Sequence, residues 1–459
     1  IPANAVGSSE LADNAVDTAA IADDAVTADK IANSINTAIA ANTAKTTNAT
    51  HTGDVTGSSS LTIASNAVVT SKILDGAINN AKVANDAAIA GTKIAPDFGS
   101  QNVVTTGTVV ADNTAGRNMI INGDMTVAQR ATSKSTGAAG NTYDVCDRWS
   151  WNRNGVTATI AQVNEAPDGS GFTKSFKFTT SSAVGSIANG NMLSFGYKIE
   201  TQDVKRLGYG HSDAKTATLS FWVRGSLSGK VGVSCTRDSR IFSANEDIVA
   251  NTWKFVEIVI PADTSTALGQ ADNNNGFGLQ IVAQAGGSFN SGATNSWIGF
   301  HTAYSAGMTA AQMGAYLTTN GSTFQITGVQ LEIGNTASNF AHESYAETLR
   351  KCKRYYQNHA GVIGDHMMWG TGRAEGNTGR IGLPIAVPMR ASPTVSTSTH
   401  RLMRYDGSAS DSTSTPTALG GWFSEANIYT IDFPGHSLSH NNMYQLTSYN
   451  ARLTLDAEL

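Results

Sequence analysis

The sequence predicts a mainly β, elongated chain that works as several identical copies. It reads as a repetitive stalk, a β-sandwich, a short helix and a second β unit. Three observations carry this. Large aliphatics recur at every fifth position in much of the first hundred residues. From Arg117 onward, short runs alternate with period two between Gly, Asn, Asp and Ser turns. The 45 Gly, 9 Pro and long Thr/Val/Ile/Phe runs favour strands and turns over helices. At ~100–200 residues per domain, a chain of 459 residues holds two to four domains. Boundaries are expected at 1–115, 116–343, 344–357 and 358–459.

In the stalk, Val6, Leu11, Val16, Ile21, Val26 and Ile31 are five apart, separated by Ala, Asn, Asp, Ser and Thr. The pattern returns at Val68, Ile73, Ile78 and Val83, then slips by one to Ile89 and Ile94. A period of five matches neither a helix near 3.6 nor a strand at 2. Two aliphatics per ten residues, each contributing roughly 1.5–3 kcal/mol on full burial, fall short of the entropy of ordering ten backbone units. The segment therefore needs other chains that bury the same aliphatics. Strict register over two blocks argues against a disordered Ala/Thr/Asn linker.

Between the blocks lies His51-Thr-Gly-Asp-Val-Thr-Gly57, followed by Leu61-Thr-Ile63. Decapeptides such as Asn14-Ala-Val16 and Asn66-Ala-Val68, alternating with Lys30-Ile31 and Lys72-Ile73 around this insert, resemble the stalks of bacteriophage tail fibres. Those are intertwined homotrimers, so the resemblance implies a homotrimeric fibre. At a threefold axis His51 would bring three imidazoles together as metal ligands; the alternative is a turn-side hydrogen bond.

In the middle region, Leu219, Phe221 and Val223 fall on one strand face and Trp222 and Arg224 on the other. Val256, Ile258 and Ile260 share a face before Pro261 ends the strand, and Val329, Leu331 and Ile333 repeat the pattern. Trp149 and Trp151 are expected in the core. Asn118-Met-Ile-Ile-Asn-Gly-Asp124 through Arg130, with Tyr143-Asp-Val-Cys-Asp-Arg-Trp149, resembles the opening of a phage appendage domain. Thr327-Gly-Val-Gln-Leu-Glu332 through Phe340, with Cys352-Lys-Arg-Tyr-Tyr356, resembles its close. Ala128 stands where that family has Trp, and Asn339-Phe340-Ala341 where it has Pro-Phe-Glu.

Such domains are similar to the jelly rolls of carbohydrate-binding modules. The resemblance implies a structural Ca2+ held by hard oxygen ligands at Asn122, Asp124 and Glu332. Alternatively, Asp124 shapes a turn and Glu332 pairs with Arg130 or Arg148.

Ser344-Tyr-Ala-Glu347 is a capping box, and Tyr345, Leu349, Cys352 and Tyr356 then recur on one helix face. The basic residues Arg350, Lys351, Lys353 and Arg354 read as a solvated helix face. Beyond it, Arg380-Ile-Gly-Leu-Pro through Val395 and the closing Leu455-Asp-Ala-Glu-Leu459 resemble the same fibre proteins, so the order is stalk, jelly roll, tip. In style the chain resembles fibres of marine cyanobacterial phages.

Composition excludes several functions. Lys+Arg number 31 against 36 Asp+Glu, a net charge of −5, and no basic cluster suits a phosphate backbone. Cys146, Cys235 and Cys352 are odd in number and far apart, which fits reduced core thiols rather than a disulfide framework or zinc site. No run approaches ~18 apolar residues, so no membrane insertion is expected. The first residue is Ile1 rather than Met, so an upstream segment is expected, through which tail or adaptor proteins would attach.

Gly225-Ser-Leu-Ser-Gly229-Lys230 departs from a phosphate loop in spacing and in Val231, and His342-Glu343 and Asp365-His366 make no metal pair alone. A non-enzymatic fibre is expected, acting from the virion tail at the host cell surface on polysaccharide or lipopolysaccharide. Sugar rings would stack on aromatic faces beside Asn, Asp or Arg. Candidates are Trp222 and Arg224 on the sandwich, and Trp369, Tyr405, Trp422 and Tyr429 on the tip. Two alternatives share the jelly roll or the tail: a secreted bacterial glycan-binding protein and a tail-associated depolymerase.

Overall fold

The computed structural model describes residues 13, 19, 21–22, 25–44, 55–56, 62–63, 67–69, 71, 73–74, 116–136, 139–154, 156–265, 268–269, 272–289, 291–299, 306–360, 367–397, 400–404, 408–418, 428–436, 442–448 and 452–459. The chain divides into two compact units, Ile1–Thr108 and Val109–Leu459.

In the first unit a helix spans Asn33–Thr43, between the two repeat blocks, and buries none of its residues. Ile35 and Ile39, four apart, with Ala38, Ala40 and Ala41 around the second, carry this local helical pattern that the five-residue period hides. Val55–Thr56 and Thr62–Ile63 pair as a short antiparallel hairpin across the insert. The repeat aliphatics Ile21, Val26, Val68 and Ile73 are all exposed. The described part of this unit thus presents aliphatic surface with almost no core of its own. Repeat positions Val6, Leu11, Val16, Ile78, Val83, Ile89 and Ile94, and His51, lie outside the described residues.

The second unit opens with a two-sheet antiparallel β-sandwich. One sheet orders the strands Ile298–Gly299, Arg240–Ile248, Gly229–Arg237, Asn275–Ala285, Met192–Glu200, Ser150–Asn154 and Ala139–Thr142. The other orders Lys254–Ile260, Ala217–Gly225, Thr323–Ile333, Ser175–Ser182, Thr157–Val163 and Ser133–Thr136. Their inner faces enclose one large core. Leu219, Phe221, Val223, Val256, Ile258, Ile260, Val329 and Leu331 are buried in it, as the period-two pattern predicts, and the strand ends at Ile260 before Pro261. Trp149 and Trp151 are fully buried, and each indole finds a partner: Trp149 Nε1 donates to Asn122 O and Trp151 Nε1 to Asp144 Oδ2, both at 3.0 Å. The three cysteines are buried free thiols. The phosphate-loop-like stretch around Ser226 is the connection that crosses from the six-stranded to the seven-stranded sheet, and Lys230 pairs with Asp247 at 2.9 Å.

The helix spans Tyr345–Cys352 and Ser344 caps it, accepting from Glu347 N at 3.2 Å. The Glu347 carboxylate turns to Arg350 instead of reaching back, so half of the expected box forms. Tyr345 is exposed, and Tyr356 already belongs to the strand Tyr356–Ala360. The basic run is solvated only in part, because Arg354 makes a bidentate pair with the buried Glu200 carboxylate at 2.9–3.0 Å.

The tip consists of a three-stranded sheet (Tyr356–Ala360, Arg452–Asp456, Thr394–Ser396) and a seven-stranded sheet centred on Met367–Glu375, around a second core. Its closing segment docks on the sandwich. Arg148, 1% exposed, pairs with Glu458, donates to Lys198 O at 2.5 Å and lies over the Tyr355 ring. Arg130 stacks on Tyr356 and faces Asp456 at 3.0 Å and Glu458 at 3.4 Å. Tyr143 and Lys198 both donate to Leu459 O at 2.9 Å, and Arg390 donates to Ala457 O at 2.8 Å.

Candidate functional site

Alternation along Ala217–Gly225 turns Trp222 and Arg224 away from the core, onto the outer face of the six-stranded sheet. Phe255 is the cross-strand partner of Trp222, and their rings lie 5.3 Å apart. Phe255 is 42% exposed, so its ring is open to a ligand.

On the other side of Trp222, the strand Thr323–Ile333 shifts register between Thr327 and Gln330. Gly328 sits in that irregularity at φ +63°, and a Cβ there would lie 2.6 Å from the Phe172 ring. The bare backbone thus lets Phe172 reach over the sheet from its loop. Phe172, Phe340 and His342 then form a mutual cluster with centroids 4.9–5.2 Å apart. Trp222, Phe255, Phe172, Phe340 and His342 together line a groove of about 440 Å³. Ser220, Ser338 and Asn339 add polar groups to it. Aromatic faces with a few placed polar groups are what a small saccharide segment needs.

Next to the groove runs a polar row. Lys177, Gln325 and Arg224 are neighbours on three adjacent strands. The Glu165 carboxylate gathers them: Lys177 Nζ at 2.8 Å, Gln325 Nε2 at 3.2 Å and Arg224 Nη1 at 3.7 Å. The hydrogen bond from Lys177 holds the Glu165 carboxyl below its ordinary pKa. Arg224 also donates from Nε to Asn251 O at 3.1 Å.

The three residues expected as Ca2+ ligands each have protein partners. The Asn122 amide bonds Val127 O and Asp147 O at 2.9 Å and accepts from Val127 N, clamping the turn. Asp124 Oδ1 accepts from Thr126 Oγ1 at 3.0 Å, so it shapes a turn, and burial raises its pKa. Glu332 accepts from Gln330, Ser338 N and Ser338 Oγ, and faces Arg117 at 3.4 Å. Its arginine is therefore Arg117, whereas Arg130 and Arg148 are committed to the closing segment. Among the described residues no group of three His, Cys, Asp or Glu side chains is placed to hold a metal ion.

On the tip, Trp369 lies in the strand Met367–Glu375 at a register irregularity between Met368 and Gly370, and Tyr429 in Ile428–Phe433 opposite Leu383. Tyr405 and Trp422 lie outside the described residues. The structure thus places Trp222 and Arg224 in one built surface. Sequence reasoning missed Phe255, whose outward position follows from Val256 and Ile258 being inward. It also missed Phe172, Glu165 and His342, whose loops carry no periodic signal.

No protein-family model and no curated protein matches the chain. Among solved structures, the enzymatically active domain of bacteriophage CBA120 tailspike protein 4 is similar at 12% identity and TM-score 0.24, over 47% of this chain. The match spans 21% of the tailspike's own length. The family 11 carbohydrate-binding module from Clostridium thermocellum, solved with a mixed-linked tetrasaccharide, is similar at 10% identity and TM-score 0.23, over 45% of this chain and 98% of its own. The tandem CBM22-1–CBM22-2 domain of Paenibacillus barcinonensis Xyn10C is similar at 8% identity and TM-score 0.23, over 73% of this chain and 99% of its own. With superposition this loose, the β-sandwich assignment rests on the strand pairing itself.

Proposed function

We propose that this chain is a homotrimeric receptor-binding fibre of a phage tail that attaches the virion to host cell-surface glycan without catalysing a reaction. The groove carries the reading: five aromatic or heteroaromatic side chains line it, two of them, Trp222 and Phe255, cross-strand partners with rings tilted at 56°. A sugar ring offers an apolar face that stacks on Trp222, and the adjacent amide, guanidinium and hydroxyl groups match its hydroxyls. The exposed repeat aliphatics of the first unit support association of identical chains. Three grooves presented together would raise avidity by roughly 10²–10⁴ over one. The tail location and the trimer come from the motifs quoted above, from the Asn-Ala-Val decapeptides to the closing Leu-Asp-Ala-Glu-Leu.

The test is adsorption of the purified chain to host cells and to their isolated envelope polysaccharide, with Trp222→Ala and Phe255→Ala beside wild type. Loss of adsorption at unchanged melting temperature supports the reading. Adsorption equal to wild type removes the groove from it, and release of sugar fragments replaces attachment with depolymerisation. Light scattering that gives a monomer removes the trimer.

A further inference from the structure

The polar row beside the groove has more hydrogen-bond donors than the protein uses. Lys177 spends one of its three ammonium hydrogens on Glu165. Arg224 spends Nε on Asn251 O, and its nearest approach to Glu165, 3.7 Å, is too long for a hydrogen bond. Two cations thus share one carboxylate, and that carboxylate is also occupied by Gln325. The row carries one net positive charge with free N–H groups, on a chain whose total is −5.

Its placement relative to the aromatic groove is fixed by β geometry. Lys177, Gln325 and Arg224 are register neighbours, so at ~4.8 Å per strand the two cations flank Gln325 about 10 Å apart. Arg224 is two residues from Trp222 on the same strand, about 7 Å along the same face. A saccharide that runs from a ring on Trp222 along the strand toward Arg224 brings its next residue beside Arg224 and Lys177. The groove itself is lined by no Asp or Glu.

We infer that the surface recognises an acidic polysaccharide, one whose sugar residues bear carboxylate or sulfate groups: one residue stacks on Trp222 while the anionic substituent of the next bridges Arg224 and Lys177. The inference rests on the glycan-binding reading of the groove and adds the charge of its ligand. Glu165 acts as the organiser, holding Lys177 and Gln325 extended across the sheet while leaving the second cation underused. Because the chain as a whole is anionic, polyanion retention requires a local cationic surface rather than bulk attraction.

The experiment is affinity electrophoresis of the full chain in gels containing polygalacturonate, dextran sulfate, fully methyl-esterified polygalacturonan or dextran. Variants are Lys177→Gln/Arg224→Gln, Glu165→Gln and Trp222→Ala, each checked for an unchanged melting temperature. Retention by polygalacturonate identifies carboxylate as the anion, and retention by dextran sulfate identifies sulfate. The double variant is expected to lose at least tenfold in affinity for the retained polyanion. Glu165→Gln keeps an acceptor for Lys177, removes the negative charge, and is expected to bind that polyanion several-fold more tightly. Retention by neutral polymers alone, or a double variant equal to wild type, overturns the acidic ligand while the glycan-binding reading stands. A wild type retained by none of the four, with Trp222→Ala indistinguishable from it, overturns both.

Discussion

The guanidinium of Arg148 lies 3.5 Å from the centroid of the Tyr355 ring. Arg148 precedes the first tryptophan of the sandwich and adopts a left-handed backbone at φ +72°; Tyr355 begins the path into the tip. The contact joins two sequence regions more than 200 residues apart, and Glu458 from the closing segment completes it with an ion pair. Burial disfavours the Arg148 charge, yet Glu458 more than offsets this and holds its pKa well above the ordinary value.

Glu458→Ala is expected to cost about 3–5 kcal/mol, because it leaves Arg148 charged and buried without its carboxylate. Urea unfolding followed by intrinsic fluorescence would read this as a lower midpoint. A loss below about 1 kcal/mol would mean that the Tyr355 and Tyr197 rings and Lys198 O suffice to hold the cation.

Gly328→Ala is expected to loosen the groove. The new methyl group meets Phe172, and alanine at φ +63° costs roughly 1–2 kcal/mol. Both effects should appear together, as reduced thermal stability and weaker glycan retention. Stability lost with retention intact would separate Phe172 from ligand binding.

The pH dependence of stability should carry the mark of Asp147. Burial, helped by Glu458, pushes its carboxyl up to about 6 against the opposing effect of Arg130. A carboxyl raised in the folded state binds its proton there before the unfolded chain does. Stability from this group therefore increases as pH falls from about 6 to about 4 and is lost as pH rises through 6. Asp144, Glu200 and Asp263 are lowered instead, with hydrogen-bonded Lys134, Arg354 and Ser265 among the causes that outweigh burial. Their contribution is present above the unfolded carboxyl range and disappears as pH falls below about 4. Asp147→Asn should flatten the segment between pH 6 and 4, by up to roughly 3 kcal/mol, while leaving the acid limb in place. Melting temperatures of the two proteins from pH 3 to pH 8 would show it.

Trp222→Ala should weaken glycan retention at least tenfold with little effect on stability, since the indole is outside the core. Isothermal titration beside a melting curve distinguishes this from a packing defect.

Much of this architecture is legible from local pattern. Alternation around Leu219, Val256 and Val329 identifies strands and their inner faces because a half-buried strand must alternate. The same logic turns Trp222 outward. The sequence does not reveal which strands are neighbours. Phe255 meets Trp222 only because Lys254–Ile260 pairs beside Ala217–Gly225, a choice set by the whole sandwich. Phe172 and His342 reach the groove through loops, where residue identity follows no period. Glu332 shows a third limit. A carboxylate whose candidate arginines all lie more than 180 residues away in sequence gives no way to choose among them, and Arg117 wins through the meeting of the first and last segments of the sandwich. The helix Asn33–Thr43 stayed hidden because a five-residue period dominates the segments around it.

The pairing of Tyr356–Ala360 with Arg452–Asp456 sets an order of events during synthesis. The first of these strands leaves the ribosome almost a whole tip before its partner, so contacts this distant in sequence form late and slowly. The sandwich can be complete while Arg130 and Arg148 still await Asp456 and Glu458. A chain halted within the tip would leave both guanidiniums without these carboxylates and open to water. Arrival of the segment around Glu458 is thus the step that seals the Arg148 guanidinium from solvent.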